Sequence, residues 1–377
     1  PAAMNDPRRI RCFLLLLSLG VAPATPAIQA AEPTSTTAAL GTLAGTGEPG
    51  DPGNGGPARQ IRLKDPFGLV RGPDGALWFC DYGAHRVLRL SPDGSLTSVA
   101  GTGQPGYSGD QGPGREATLN RPHEVRFGPD GNLYIADTSN HAVRKLDLKS
   151  GVISTVAGTG NAGYEGDGGP ASRATFRGTI SIQFSPSGDL YIVDIGNHVL
   201  RRMDRTTGTI STVAGVGRAG PTPDGAPIAG TPLNGPRSID FDASGRLWLA
   251  TREGNQVFRL DFEQGSITPM AGTGRKGFTG DGGPARAATF SGPKGIAIAP
   301  DGSVYLADTE NHAIRRIDPK DGTLRTVVGT GERGDGPDGE VRGARLARPH
   351  GVAVDRDGAV LIGDSENHRI RRLSAGP

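Results

Sequence analysis

His123, Glu124 and His350 offer two imidazoles and a carboxylate, a donor set that suits zinc or another transition metal. Arg237 and Lys294 offer two cations able to hold a carboxylate or phosphate. Phe67 adds an aromatic face. These residues lie far apart in the chain, yet each stands at one place in a recurring unit, just ahead of a short apolar run. The series reads Phe67, His123, Ile180, Arg237, Lys294, His350, followed by Gly68, Glu124, Ser181, Ser238, Gly295, Gly351. Where near-identical copies disagree, a binding role should reside. Phe67, His123, Glu124, Arg237, Lys294 and His350 are therefore the candidate binding residues, and His123, Glu124 and His350 the candidate metal ligands.

The unit that places them is about 57 residues long and is written six times. Gly-Thr-Gly opens it at Gly45, Gly101, Gly158, Gly272 and Gly329, and Gly215-Val216-Gly217 stands in once. A period of this length means a repeat architecture. In the unit from Pro122, short alternating apolar runs are separated by Pro129-Asp130-Gly131, Thr138-Ser139-Asn140 and Lys149-Ser150-Gly151. Short runs with turn residues every eight to twelve positions predict antiparallel strands. Four strands per unit and six units predict an all-β, six-bladed β-propeller with a central channel. The last unit lacks its fourth strand, and Leu40-Gly41-Thr42-Leu43-Ala44 near the N-terminus matches Ile153 to Ala157 in pattern. Pairing that N-terminal strand into the last blade closes the ring and removes free edges. The innermost strands line the channel, so the non-repeating series should surround one of its mouths.

Other recurring residues read as scaffold. His85, His141, His198, His312 and His368 fall one per blade, too far apart to share an ion, in a turn where the Asn that precedes the last four tolerates an unusual φ. Asp81, Asp137, Asp194, Asp308 and Asp364 follow the second strand, and Arg89, Lys145, Arg202, Arg259, Arg316 and Arg372 lie on the third. A carboxylate and a cation per blade suggest a ring of ion pairs. Asp110, Asp167 and Asp281 precede Pro-Ala or Pro-Gly steps and read as caps on a single helical turn rather than calcium ligands. Blade four breaks the pattern with Thr251, Gly254, Asn255 and Phe258, leaving Arg252 and Phe258 as contact candidates.

The segments Asp137-Thr-Ser-Asn140-His141, Asp194-Ile-Gly-Asn197-His198, Asp308-Thr-Glu-Asn311-His312 and Asp364-Ser-Glu-Asn367-His368 resemble NHL repeats, as do the Gly-Asp-Gly-Gly-Pro-Ala loops at Gly166 and Gly280. The resemblance covers residues 32–377 and implies a six-bladed propeller. It implies no single function, because the family includes protein- and RNA-binding domains, extracellular recognition domains and an amidating lyase.

Residues 1–31 read as a secretory signal peptide: Met4 as the start, Arg8, Arg9 and Arg11 as the charged region, Phe13 to Val21 as the apolar one, then a small-residue cleavage site. Residues 32–377 form one propeller domain, secreted or periplasmic. Without Arg8, Arg9, Arg11 and Asp6, the 41 basic and 39 acidic residues become 38 of each. A neutral domain has no general attraction for nucleic acid. Only Cys80 remains after cleavage, so no internal disulfide forms, and its apolar surroundings mark it as a small buried hydrophobe. No Gly-x-Ser-x-Gly, His-Glu-x-x-His or phosphate loop is present.

These features predict an exported, monomeric binding scaffold for a protein, peptide or glycan, with no membrane span. The alternative is a propeller enzyme, resembling the amidating lyase or a gluconolactonase, with a divalent metal (zinc or calcium) in the channel.

Overall fold

The computed structural model describes residues 38–374. The predicted signal peptide lies outside the described residues. Strands form where the sequence alternates and end where Asp-Gly, Ser-Gly or Asn-His turns interrupt it. In blade 2 they run Pro122–Phe127, Leu133–Asp137, Ala142–Leu146 and Ile153–Ala157, hydrogen-bonded in that order. All residues of the second strand, Leu133–Asp137, are buried, because neighbouring blades cover both of its faces. That explains its unbroken apolar run.

Six such antiparallel sheets form the predicted six-bladed propeller. The innermost strands are Pro66–Arg71, Pro122–Phe127, Thr179–Phe184, Pro236–Phe241, Gly295–Ile298 and Gly351–Val354. Each touches the next, and the last returns to the first. The hydrophobic core is correspondingly divided into six clusters, one at each blade-to-blade interface. Closure occurs as expected. Ala39–Ala44 pairs antiparallel with Arg369–Leu373, setting Leu40 opposite Leu373 and Ala44 opposite Ile370. Three blades have a fifth strand: Gly55–Pro57, Ala226–Pro227 and Gly339–Glu340 add short outer partners to blades 1, 4 and 6. These loop segments cover edges that would otherwise offer unpaired backbone groups. Among the described residues no helix is long and apolar enough to cross a membrane.

The glycine that opens each unit has a steric cause. Gly158 has φ +94, and a Cβ there would overlap the carbonyl oxygen of His141; the equivalent glycines meet His85, His198, Asn255, His312 and His368 in the same way. Those partner residues take the left-handed conformation, with φ 54 at His85, 53 at His141 and 49 at Asn255. This corrects the sequence reading, which assigned the unusual φ to the preceding Asn. The Asn is instead a bridge. Asn140 Nδ2 donates to Asp137 Oδ2 at 2.8 Å and to the Gly106 carbonyl at 2.6 Å. The histidine joins blades: His85 Nδ1 accepts the Arg121 N–H at 3.1 Å, and His312 Nδ1 accepts that of Arg348 at 3.0 Å.

The expected ring of ion pairs is incomplete and uses different cations: it forms in blades 2, 5 and 6, while Asp194 pairs with no cation among the described residues and blades 1 and 4 carry Leu88 and Phe258 at the arginine's place. Asp137, Asp308 and Asp364 pair with Arg144, Arg315 and Arg371, one residue before the expected Lys145, Arg316 and Arg372. Side chains alternate across a strand, so a one-residue offset moves the cation to the other face. Lys145, Arg89 and Arg372 instead meet the turn aspartates Asp130, Asp74 and Asp357. Asp110, Asp167 and Asp281 do not cap helices. They pair with Arg144, Arg201 and Arg315, and the short 3₁₀ turns behind them are led by Pro113, Pro170 and Pro284 without side-chain caps. Phe258 is 1% exposed, so it is core rather than a contact surface.

Candidate functional site

Local backbone irregularity aims the non-repeating series into the channel. On four innermost strands the pairing register jumps one residue: Pro122 faces Asp137 and Glu124 faces Ala136, leaving His123 unpaired between them, while in blade 1 the jump falls at Gly68 and Phe67 still faces Cys80. Ile180 and Arg237 sit in the same kind of bulge. A bulge inserts an extra residue and redirects its side chain. Lys294 and His350 reach the same level just ahead of their strands, anchored by N–H bonds to Ala307 and Gly363.

The residue after each of these holds the blades together. Glu124 Oε2 accepts the Ile182 N–H of the next blade at 3.0 Å. Ser181 Oγ accepts that of Ile239 at 3.2 Å, and Ser238 Oγ that of Ile296 at 3.3 Å. Gly68 has φ +41, and a Cβ there would overlap backbone atoms of His123 and Glu124. Glu124 also pairs with Arg126. Burial raises its pKa, and Arg126 opposes that rise.

The structure brings Phe67, His123, Arg237, Lys294 and His350 together, and all are under one-tenth exposed. They form a buried layer below the mouth rather than a solvated rim. Phe67 stacks on His350 with ring centroids 4.1 Å apart and meets His123 edge-on at 4.7 Å. Tyr82 stacks on Phe67 from its other side at 4.6 Å. Arg237 Nη2 lies 2.7 Å from His123 Nε2. Lys294 Nζ lies 3.2 Å from His350 Nε2 and 2.9 Å from Glu310 Oε1. The His350 Nδ1–H donates to the Arg348 carbonyl at 2.8 Å, so its Nε2 lone pair faces the lysine.

Electrostatics follow from burial among cations. Desolvation, then Arg237 and Lys294, push the His123 pKa well below its usual value; His350 is lowered by burial and the same two cations. Both imidazoles are neutral at pH 7. Desolvation brings Lys294 down to about 8, with Glu310 opposing the fall. Burial and nearby Arg252 bring Arg237 to about 10, so it is charged at neutral pH. Its Nε has no hydrogen-bond partner. Among the described residues no carboxylate forms an ion pair with it, whereas Lys294, Arg252 and Arg348 pair with Glu310, Glu253 and Glu366.

This layer nearly closes the channel. The void at the waist measures about 10 Å³, room for about one water. Above it opens a pocket of about 330 Å³, lined by the layer together with Asp65, Tyr82, Arg252, Arg348 and Glu366. The opposite mouth, of about 320 Å³, presents Arg71, Arg126, Gln183 and Asp240 against an apolar wall. Sequence reasoning missed Tyr82, Arg348 and Glu366, and named Arg252 as a partner contact rather than as part of this pocket. Tyr82, Arg252 and Glu366 occupy the variable places of the Asp-x-x-Asn-His loop, and that variability was the available signal.

The donors do not fit a metal centre. Among the described residues no three His, Cys, Asp or Glu side chains are grouped to hold an ion. The two imidazoles face Arg237 and Lys294, and Glu124 is turned toward Arg126 and the next blade. A divalent cation placed between the histidines would sit beside two positive charges.

The sequence model of the NHL repeat matches residues 119–146 and 346–373, and that of the teneurin NHL domain matches residues 273–334. The chain is 29% identical over 293 residues to the protein suppressor of quenching 1, chloroplastic, of Arabidopsis thaliana, covering 74% of this chain and 27% of that protein. It is 27% identical over 325 residues to human NHL repeat-containing protein 2, covering 78% and 44% respectively. The chain thus spans less than half the length of either relative. An auxiliary nutrient binding protein from Bacteroides thetaiotaomicron superposes with a TM-score of 0.67 at 18% identity, over 90% of this chain and 77% of that one, which shows a shared fold.

Proposed function

We propose that this chain, which belongs to the NHL-repeat propeller family, is an exported recognition module that binds a protein, peptide or glycan at the pocket above the channel waist. One observation carries the reading: five side chains of four kinds converge in a concave, nearly dead-ended pocket, while the repeated polar residues are engaged in holding blades together. A concave site with a few converging polar groups on a rigid frame is the common form of a binding pocket. Export rests on residues 8–30 of the sequence. The arrangement supports binding over metal-dependent lyase or lactonase chemistry, because cations occupy the neighbourhood that a metal would need.

The test is a thermal-shift screen of the purified chain against peptides, glycans and small organic ions, repeated on Phe67→Ala and Arg71→Ala. Ligands whose stabilisation is lost in Phe67→Ala and kept in Arg71→Ala support the reading. Ligands lost only in Arg71→Ala, at the opposite mouth, overturn it.

A further inference from the structure

Resting on that reading, we propose that the pocket is a carboxylate site, with Arg237 as the group that binds the anion. Arg237 is 7% exposed and borders both the waist void and the pocket above it. Its one defined side-chain partner is the neutral His123, and its Nε–H is unpartnered. Arg144, Arg315 and Arg371 also leave their Nε–H unpartnered, but their charge is matched: each has a buried aspartate and a loop aspartate, where Arg237 has neither. A buried charge without a counter-ion is destabilising, and a fold retains one where something else completes it. The missing partner is an anion supplied from the pocket.

The charge balance selects a monoanion. Lys294 is already matched by Glu310, Arg252 by Glu253, and Arg348 by Glu310 and Glu366. Of these four cations Arg237 alone has no carboxylate paired with it among the described residues, so a carboxylate matches it one for one, whereas a phosphate dianion over-compensates it and faces Asp65 on the same wall. The planar guanidinium also suits a planar carboxylate. Phe67, Tyr82 and Ile180 supply an aromatic and aliphatic wall beside it for the body of the ligand. The shared chemistry is thus a carboxylate on a small apolar body, whether a free organic acid or the C-terminus of a peptide.

Calorimetry with benzoate, benzamide and inorganic phosphate tests the charge. A tetrapeptide ending in phenylalanine, with its C-terminus free or amidated, separates the two sources. Benzoate or the free peptide should bind saturably, with benzamide, the amidated peptide and phosphate at least tenfold weaker. Arg237→Met should weaken binding of the carboxylate by about 100-fold or more. It should also raise the melting temperature of the unliganded protein, because it removes an uncompensated charge at similar volume. Arg237→Lys, which keeps the charge and loses the fork, should bind with intermediate affinity. Equal binding of benzoate and benzamide, no saturable binding of either carboxylate, or Arg237→Met that melts lower and binds normally would overturn the proposal. Phe67-dependent binding of uncharged ligands would overturn the carboxylate site while leaving the recognition reading intact.

Discussion

Replacing Asn140 by Ala should destabilise the propeller, and the reverse change at the same place in blade 1, Ala84→Asn, should stabilise it. Asn140 is 6% exposed and its amide satisfies two acceptors, Asp137 Oδ2 and the Gly106 carbonyl. An orphaned buried acceptor costs about 1–3 kcal/mol. Arg144 Nη1, 3.3 Å from the same Asp137 oxygen, keeps part of the carboxylate's bonding. The expected loss is therefore about 2–4 kcal/mol. Blade 1 carries the comparison within it. Ala84 stands where Asn140 does and Leu88 where Arg144 does, and Asp81, fully buried, has an Oδ2 with no partner. Supplying an amide there should return about 1–2 kcal/mol, the net value of a hydrogen bond to a charged or buried carboxyl. Equilibrium guanidinium denaturation of both variants gives the free energies, with an unchanged m-value showing that the unfolded state is comparable. If Asn140→Ala costs under about 0.5 kcal/mol while Ala84→Asn destabilises, the bridging amide is not what fixes the loop onto the blade.

Two further outcomes follow from the fold. Deleting residues 38–44 removes the strand that closes blade 6 together with buried Leu40 and Ala44; Leu40 alone is worth about 2–5 kcal/mol, so solubility or the melting temperature should fall sharply, and a deletion melting with the parent would contradict closure. Burial lifts Asp137, Asp194, Asp308 and Asp364 to about 6, with their hydrogen-bond and arginine partners opposing the rise. A raised acid favours the folded state most below its unfolded pKa of 3.8, and that contribution is lost as pH climbs through about 6, about 3 kcal/mol per group. Carbon-13 NMR should show these carboxyls titrating near 6, and midpoints at or below 4 would refute the assignment.

The repeat was legible because each blade solves the same steric problem. A glycine must stand where the chain passes the His carbonyl, and a carboxylate must hold the lead-in loop, so those letters recur at one period. Blade count, strand order, closure and the level of the candidate residues followed from that period. Other features depended on what lies across the channel or on the other face of a strand. Sequence placed His123, Glu124 and His350 together as metal ligands. In the fold a bulge turns His123 inward, while Glu124, one residue on, faces Arg126 and the next blade. Likewise the buried aspartates take Arg144, Arg315 and Arg371 and not their neighbours. The linear chain thus determined the scaffold, whose constraints are local and repeated. Tertiary structure alone decided the charge environment of the pocket, because Arg237, Lys294 and the two histidines meet from four blades: the period sets their common level but not which side chain lies across from which.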